Sequence, residues 1–388
     1  MFSARLDADL SPNALTHLLQ AKRQAGERVL DLTSSNPIHA GITYPAGEIL
    51  AALSDPSVLQ YDPDPAGTIA ARRAVARYYA GAGTAIAPER ILLTASTSEA
   101  YAYLFKLLCN PGDEVLTPRP SYPLFDYLAA LESVRVNQYP LRYDGAWSID
   151  FAALEAAIHE RTRAIVVVNP NNPTGSFLKQ DERERLDRIC SARSLALLSD
   201  EVFADYAHRD DARRAGSLLR GGNSLTFVMS GLSKVAALPQ MKLGWIAVAG
   251  PAELARQAYE RLEWISDTYL SVGAPVQCAA SRLLEIRHPI QEELRVRIRA
   301  NLASLKAQLT RDCPFRLLDL EGGWCATLEA PRIRSEEEWT TGLLRDENVL
   351  VQPGYFYDFE REAYLILSLL TPEDVFAEGV RRVLQWAG

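Results

Sequence analysis

The sequence predicts an α/β fold: a three-layer large domain on a mainly parallel sheet, plus a smaller α+β domain contributed by both termini. Three observations predict it. Short apolar segments alternate with amphipathic helical ones over the first two thirds of the chain. Several apolar segments are nearly continuous, as strands buried on both faces should be. After about Pro251 the alternation gives way to a long helical stretch followed by short strands.

Taken in order, strands are expected at Arg90–Thr94, Glu114–Thr117, Ala164–Asn169, Leu195–Ser199, Leu225–Met229 and Leu243–Ala249. Helices are expected between them at Thr68–Tyr79, Glu99–Cys109, Tyr122–Leu131, Phe151–His159 and Gln180–Arg193. Such alternation implies right-handed crossovers and a sheet covered on both faces. The later helical stretch runs toward Leu309, with breaks near Gly273–Pro275 and at Pro289. Short strands follow around Phe315–Leu318 and Trp324–Glu329, then a helix near Glu336–Glu347 and a strand around Tyr364–Leu370. The expected division is 1–44 as the N-terminal part of the small domain, 45–287 as the large domain, and 288–388 as the rest of the small domain. In open sheets of this kind, ligands sit beyond the carboxyl ends of the strands.

Composition narrows the class. The 388 residues exceed one ordinary domain. With 48% hydrophobic and 23% charged residues, the chain has the make-up of a globular enzyme. A net charge of -8 and the lack of a Lys/Arg tract argue against nucleic acid as a partner. The five cysteines are scattered, with no CxxC pair, which points away from disulfides and zinc and toward a reducing cytoplasm. The N-terminus has early acids and no apolar core, so no secretory signal is expected, and no apolar run has the length of a membrane span.

Four segments at expected strand ends carry chemistry. Lys234 closes Ser230-Gly-Leu-Ser-Lys234, just past a buried strand. Desolvation there lowers a lysine's pKa and makes it a nucleophile for an aldehyde; a lone lysine is more often simply on the surface. Asp200, in Ser199-Asp-Glu-Val-Phe203, is placed to pair with a protonated ring nitrogen, or else to cap a helix. Asn169-Pro-Asn-Asn172-Pro-Thr-Gly175 demands a rigid turn that can aim the Asn172 amide. Thr94-Ala-Ser96-Thr97-Ser98-Glu99 opens a helix. Ser96 with Glu99 makes a capping box, and the same helix N-terminus suits a phosphate.

Together with Pro120-Ser-Tyr122-Pro, these segments resemble the fold-type I pyridoxal 5'-phosphate (PLP) enzymes, class I/II aminotransferases in particular. The resemblance runs from Thr33-Ser-Ser-Asn-Pro37 to Pro353-Gly354. It implies that Lys234 forms the Schiff base with PLP and shuttles a proton, that Asp200 holds the pyridine nitrogen, and that Asn172 holds the ring oxygen. Tyr122 would stack on the ring. Ser96, Thr97, Ser98, Ser230 and Lys242 would surround the phosphate. Tyr61, followed by Gly67 and Arg72, matches a tyrosine that reaches the phosphate of a neighbouring subunit, which implies a homodimer with shared sites. Asn36 and Gly41 would contact the substrate, a small-molecule amino acid or oxo acid. Tyr44, Trp324, Tyr355 and Phe356 are further pocket candidates by position.

Three departures from the family pattern stand out. Lys242 replaces the usual arginine, keeping the charge without the bidentate fork. Phe203 replaces a tyrosine that donates to the ring oxygen. In Tyr364-Leu-Ile-Leu-Ser-Leu-Leu370, Ile366 or its neighbour falls where relatives carry a carboxylate-clamping arginine, and Arg361 reads as a solvated loop residue. The leading expectation is transamination between an amino acid or amine and a 2-oxo acid. The missing arginine keeps open a PLP-dependent decarboxylase or lyase. A non-catalytic PLP-binding regulator has little room for the DNA-binding segment it would need.

Overall fold

The computed structural model describes residues 2–6 and 11–386. The early acids Asp7 and Asp9 and the terminal Gly388 lie outside the described residues.

The central sheet has eight strands among the described residues: β1 (Ile91–Thr94), β2 (Glu114–Arg119), β3 (Arg135–Tyr143), β4 (Trp147–Ile149), β5 (Thr162–Val168), β6 (Ala196–Asp200), β7 (Thr226–Gly231) and β8 (Gly244–Ala249). Their order is β1-β8-β7-β6-β5-β2-β3-β4. The run β7-β6-β5-β2-β3 is parallel throughout, so the mainly parallel expectation holds. Strand β8 is antiparallel to both neighbours. Its first residue, Gly244, is therefore in register with Thr94 and Gly231, and the chain entering β8 lies at the carboxyl ends of β1 and β7.

The central strands are apolar on both faces because both faces are covered. Leu116, Ile165, Val167, Leu197 and Val228 pack with the helices Ile69–Gly81 and Ala274–Glu285. Val115, Ala164, Val166, Ala196 and Phe227 pack with Thr97–Leu108 and Ala252–Asp267. Each such Val, Leu, Ile or Phe side chain contributes roughly 1.5–3 kcal/mol by leaving water.

A smaller antiparallel sheet joins Arg316–Leu317, Cys325–Glu329, Tyr364–Ser368 and Gln352–Pro353. Its Leu328, Leu365 and Leu367 share a core with the helices Arg287–Gln308, Glu336–Glu347 and Glu373–Trp386. The N-terminal segment enters this core through Leu30, Leu32, Ala40 and Ile42. The helix Glu336–Glu347 falls where the sequence puts it. Ser335 accepts from the Glu338 amide at 3.2 Å, and Glu338 accepts from the Ser335 amide at 2.8 Å.

Some expectations need correction. The second helical break is at Ile286, not at Pro289. Pro289 occupies the first turn of Arg287–Gln308, where a missing N–H costs nothing. The helix expected from Tyr122 begins at Phe125. Strands β3 and β4 lie outside the expected set. They form the sheet edge, and the mixed burial of β3 leaves no continuous apolar run.

Candidate active site

The site forms where β1, β5, β6 and β7 end. Just beyond β7, a four-residue helix, Leu232–Val235, carries Lys234. The Lys234 Nζ lies 4.7 Å from the centre of the Trp324 ring and 5.4 Å from that of Phe203. Those two rings meet edge to face at 5.2 Å. Burial of the ammonium end pushes Lys234 down to about 8, against a smaller upward pull from the charges of Cys325 and Asp200.

Asp200 ends β6, the neighbour of β7, and is buried. Its Oδ1 accepts from the Val202 amide at 3.1 Å and its Oδ2 from the Tyr101 hydroxyl at 3.3 Å. Burial dominates and holds the carboxyl up at about 6. A carboxyl so placed is ionised when a cationic partner arrives beside it. The next residue, Glu201, is also buried, and burial pushes it up to about 7. Its Oε1 accepts from Ser199 Oγ at 3.0 Å and from the Leu218 amide at 2.9 Å.

A cradle lies where β1 and β7 meet the start of β8. Ser96 caps the helix Thr97–Leu108 by accepting from the Glu99 amide at 3.2 Å. Glu99 returns the contact one residue earlier than a standard box, accepting from the Ala95 amide at 2.6 Å. The first-turn amides, those of Thr97 and Ser98 included, have no partner within the helix. A Cβ on Gly244 would stand 3.0 Å from the Ser96 carbonyl carbon and 3.2 Å from the Ser230 carbonyl oxygen, so any other residue would push these strand ends apart by a few tenths of an ångström. Ser230 Oγ is buried here without a hydrogen-bond partner. Lys242, two residues before Gly244, is exposed in a left-handed conformation (φ 52). Free amides, an orphaned hydroxyl and an adjacent cation suit a phosphate group.

The Asn169–Gly175 loop packs against Asp200 and against the segment leading to Trp324. The Asn169 amide donates to the Asp200 carbonyl at 2.8 Å. Asn171 Nδ2 donates to the Pro120 carbonyl at 3.3 Å, joining this loop to the one bearing Tyr122. Asn172 is half-buried. Tyr122 is 41% exposed; partial desolvation and the charge of Asp200 raise it, which puts it within electrostatic reach of that carboxylate. PLP fits this set: a half-buried amine with a lowered pKa, a buried acid on the neighbouring strand, and an anion cradle.

Other expected residues lie apart. Tyr61 is 82% exposed, on the rim of an open cavity shared with Thr68, Ser271 and Gln277. Below it, Arg72 pairs with Asp64 at 3.0 Å and donates to the Gly67 carbonyl at 2.7 Å. Asn36 caps the short turn Pro37–Ala40, accepting from the Ile38 amide at 3.2 Å, and Gly41 closes that turn with φ 69. Ile366 is buried in register with Thr327 and Gln352. Arg361 lines a surface cleft with Arg332 and Arg334. Tyr101, Glu201, Tyr206 and Cys325 escaped the sequence reading. For Tyr101 the signal was its place four residues after Thr97, one turn along the same helix face.

Residues 27–378 match the family of class I and II aminotransferases, and the chain belongs to this PLP-dependent family. It is 30% identical over 270 residues to the glutamate-pyruvate aminotransferase AlaA of Escherichia coli (strain K12), covering 69% of this chain and 66% of that protein, just under two thirds of its length. With the AlaA of Haemophilus influenzae it is 28% identical over 377 residues, covering 94% and 91% of the two chains. A solved alanine aminotransferase from Pyrococcus furiosus superposes with a TM-score of 0.89 at 22% identity over 100% of this chain and 99% of that one, a likeness of fold. Among the described residues, no helix is long and apolar enough to cross a membrane.

Proposed function

We propose that this chain is an aminotransferase moving an amino group between an amino acid (or amine) and a 2-oxo acid, with Lys234 bonding the cofactor and moving the proton. The observation that carries this reading is the pairing of a half-buried amine, held near pKa 8, with a buried acid at the end of the adjacent strand. When bound, PLP supplies an aldehyde carbon for the amino group and a ring that withdraws electrons.

The protein's own groups do the rest. At about 8, Lys234 Nζ is partly neutral near neutral pH and can take up a proton and return it. Phe203 and Trp324 keep water from Nζ. Asp200 holds the ring nitrogen and keeps its positive charge. Asn172 holds the ring oxygen, and Tyr122 covers a ring face. Ser96, Thr97, Ser98, Ser230 and Lys242 hold the phosphate, Lys242 as a point charge rather than a fork. Asn36 and Gly41 contact the substrate.

A homodimer with shared sites is part of this reading. It is supported by exposed Tyr61, with Leu59 and Leu50 exposed in the same stretch of chain. The division into 1–44, 45–287 and 288–388 is supported by the N-terminal residues Leu30–Ile42 packing in the smaller core. A cytoplasmic location is supported by five unpaired cysteines.

Two measurements test the reading. Borohydride reduction of the holoprotein followed by peptide mapping should place a pyridoxyl group on Lys234. Addition of L-alanine or L-glutamate without acceptor should release the matching 2-oxo acid and leave the amino group on the enzyme. Release of carbon dioxide or ammonia instead would replace transamination with a decarboxylase or lyase.

A further inference from the structure

The helix that carries Lys234 cannot hold itself in place. It has four residues, Leu232–Val235, far below the length at which a helix is stable alone, and the Lys234 carbonyl takes only a long backbone bond, from the Ala237 amide at 3.3 Å. The chain then passes through Ala237 at φ 54, a left-handed conformation that a Cβ disfavours. The direction of this helix is therefore set from outside.

Three side chains set it, each from a different element. Tyr206, in the loop after β6, donates its hydroxyl to the Lys234 carbonyl at 2.7 Å. Gln291, on the helix Arg287–Gln308, donates Nε2 to the Val235 carbonyl at 2.7 Å and to Asp205 Oδ2 at 2.6 Å. Tyr44, in the N-terminal segment, donates to the Ala237 carbonyl at 2.7 Å. Gln291 is 2% exposed, and Arg295 donates to its Oε1 at 3.3 Å, which fixes the amide's orientation.

The same helix reaches the Asn36–Gly41 turn. Arg297 donates to the Ala40 carbonyl at 3.0 Å, and Asn301 holds the carbonyls of Leu369 and Thr371 at 2.9 and 2.7 Å. One rigid element thus grips both the lysine's carbonyl row and the turn expected to meet substrate.

We propose that Gln291, with Tyr44 and Tyr206, is a positioning residue for Lys234, fixing where Nζ stands and tying that position to the helix Arg287–Gln308. The proposal rests on Lys234 being the cofactor-bonding lysine. The titratable groups around this network are Asp205, Tyr78, Arg287, His288 and Arg295 near Gln291, Glu293 near Tyr44, and Asp200 and Cys325 near Lys234. The variants below leave all of these residues in place; Gln291→Met removes a bond that lowers Asp205, whereas Tyr44 and Tyr206 donate only to backbone carbonyls, so a changed lysine titration in Tyr44→Phe or Tyr206→Phe reports geometry.

The test uses holoenzyme with Gln291→Met, Tyr44→Phe or Tyr206→Phe, each removing a donor at nearly constant shape. Three quantities are read: the borohydride adduct, the pH midpoint of the visible absorbance, and kcat against KM with L-alanine as donor. The adduct should stay on Lys234. In Gln291→Met and Tyr44→Phe the midpoint should move by about half a pH unit. The kcat should fall roughly ten-fold, the scale of a sub-ångström misplacement, while KM changes less than about two-fold. An adduct on Lys234 with midpoint and kcat unchanged in all three variants, whatever their melting temperatures, overturns the proposal. Should Gln291→Met fail to fold, half-buried Tyr44→Phe decides alone. A wild-type adduct elsewhere would overturn the assignment of Lys234 itself, a failure visible without any variant.

Discussion

Tyr101 reaches from the first turns of the helix Thr97–Leu108 to donate its hydroxyl to Asp200 Oδ2 at 3.3 Å. The helix proposed to hold the phosphate thus also steadies the acid proposed to hold the ring nitrogen. Tyr101 is buried and stands edge to face with Phe125 at 5.2 Å, so the hydroxyl has little freedom to leave. Its donation lowers Asp200 against the upward push of burial. Tyr101→Phe removes that donor, so Asp200 of the apoprotein should rise above about 6; in the holoenzyme, where the ring nitrogen's charge would hold this acid lower, the acid limb of the kcat/KM profile should also move to higher pH. A loss of about 1–3 kcal/mol of support corresponds to roughly 5- to 150-fold in kcat/KM at pH 6. An acid limb in the same place would show that Tyr101 only fills space.

Glu201 makes the opposite kind of test, one of stability. Its folded pKa, pushed up to about 7 by burial, lies above its ordinary 4.5. The folded protein therefore holds this proton more tightly than the unfolded chain does. Its contribution is full below about 4.5 and is lost as pH rises through about 7. Glu201→Gln keeps an acceptor for Ser199 and Leu218 and removes the ionisation. In apoprotein melts, the variant should gain on wild type between pH 5 and pH 8, by about 2–5 °C at the upper end. A constant difference across that range would mean that Glu201 does not titrate there.

How far the fold and site were legible depends on burial and length. Strands β5, β6 and β7 were readable because burial on both faces leaves unbroken apolar runs. Strand β3 was not, since Arg135, Asn137, Gln138 and Arg142 break any such run. The pairs Leu30–Asp31 and Val349–Leu350 exist only through tertiary pairing and leave no local pattern. The residues named for the site mostly sit at strand ends or in turns with distinctive Pro, Gly and Ser chemistry. Gln291 and Tyr101 sit inside ordinary amphipathic helices, where a buried polar side chain looks like any other core position until its partner is known.

The Asn169–Gly175 loop closes on Gly175, at φ 70, where a Cβ would stand 2.5 Å from the Gly322 carbonyl oxygen. The Glu321 amide donates back to the Gly175 carbonyl at 3.1 Å, so this loop is docked on the segment that leads into Trp324. Gly175→Ala should therefore cost more than the left-handed conformation alone. Gly145→Ala is the control: φ is 73 and nothing stands within 4 Å of its missing Cβ. In urea unfolding the control should lose about 1–2 kcal/mol, and Gly175→Ala at least about 2 kcal/mol more from the clash. Equal losses would mean that the Gly322 segment yields freely and does not position Trp324.

Phe203 offers a gain-of-contact test. It is buried, its ring stands edge to face with Trp324 at 5.2 Å, and Lys234 Nζ lies 5.4 Å from its centre. A phenylalanine donates nothing, so the ring oxygen proposed for Asn172 would have one donor fewer than a tyrosine at this position would give it. Phe203→Tyr adds a hydroxyl at the outer end of a ring already fixed by packing, with no new charge. If that hydroxyl reaches the oxygen, it favours the charged, deprotonated form. The pH midpoint of the holoenzyme's visible absorbance should then fall by about 0.5–1 unit. The bare amine of apo Lys234 should be unaffected, because the added group acts through the bound cofactor. A midpoint that stays put or rises would show that the hydroxyl finds no such acceptor, and position 203 would then serve only to shield Nζ.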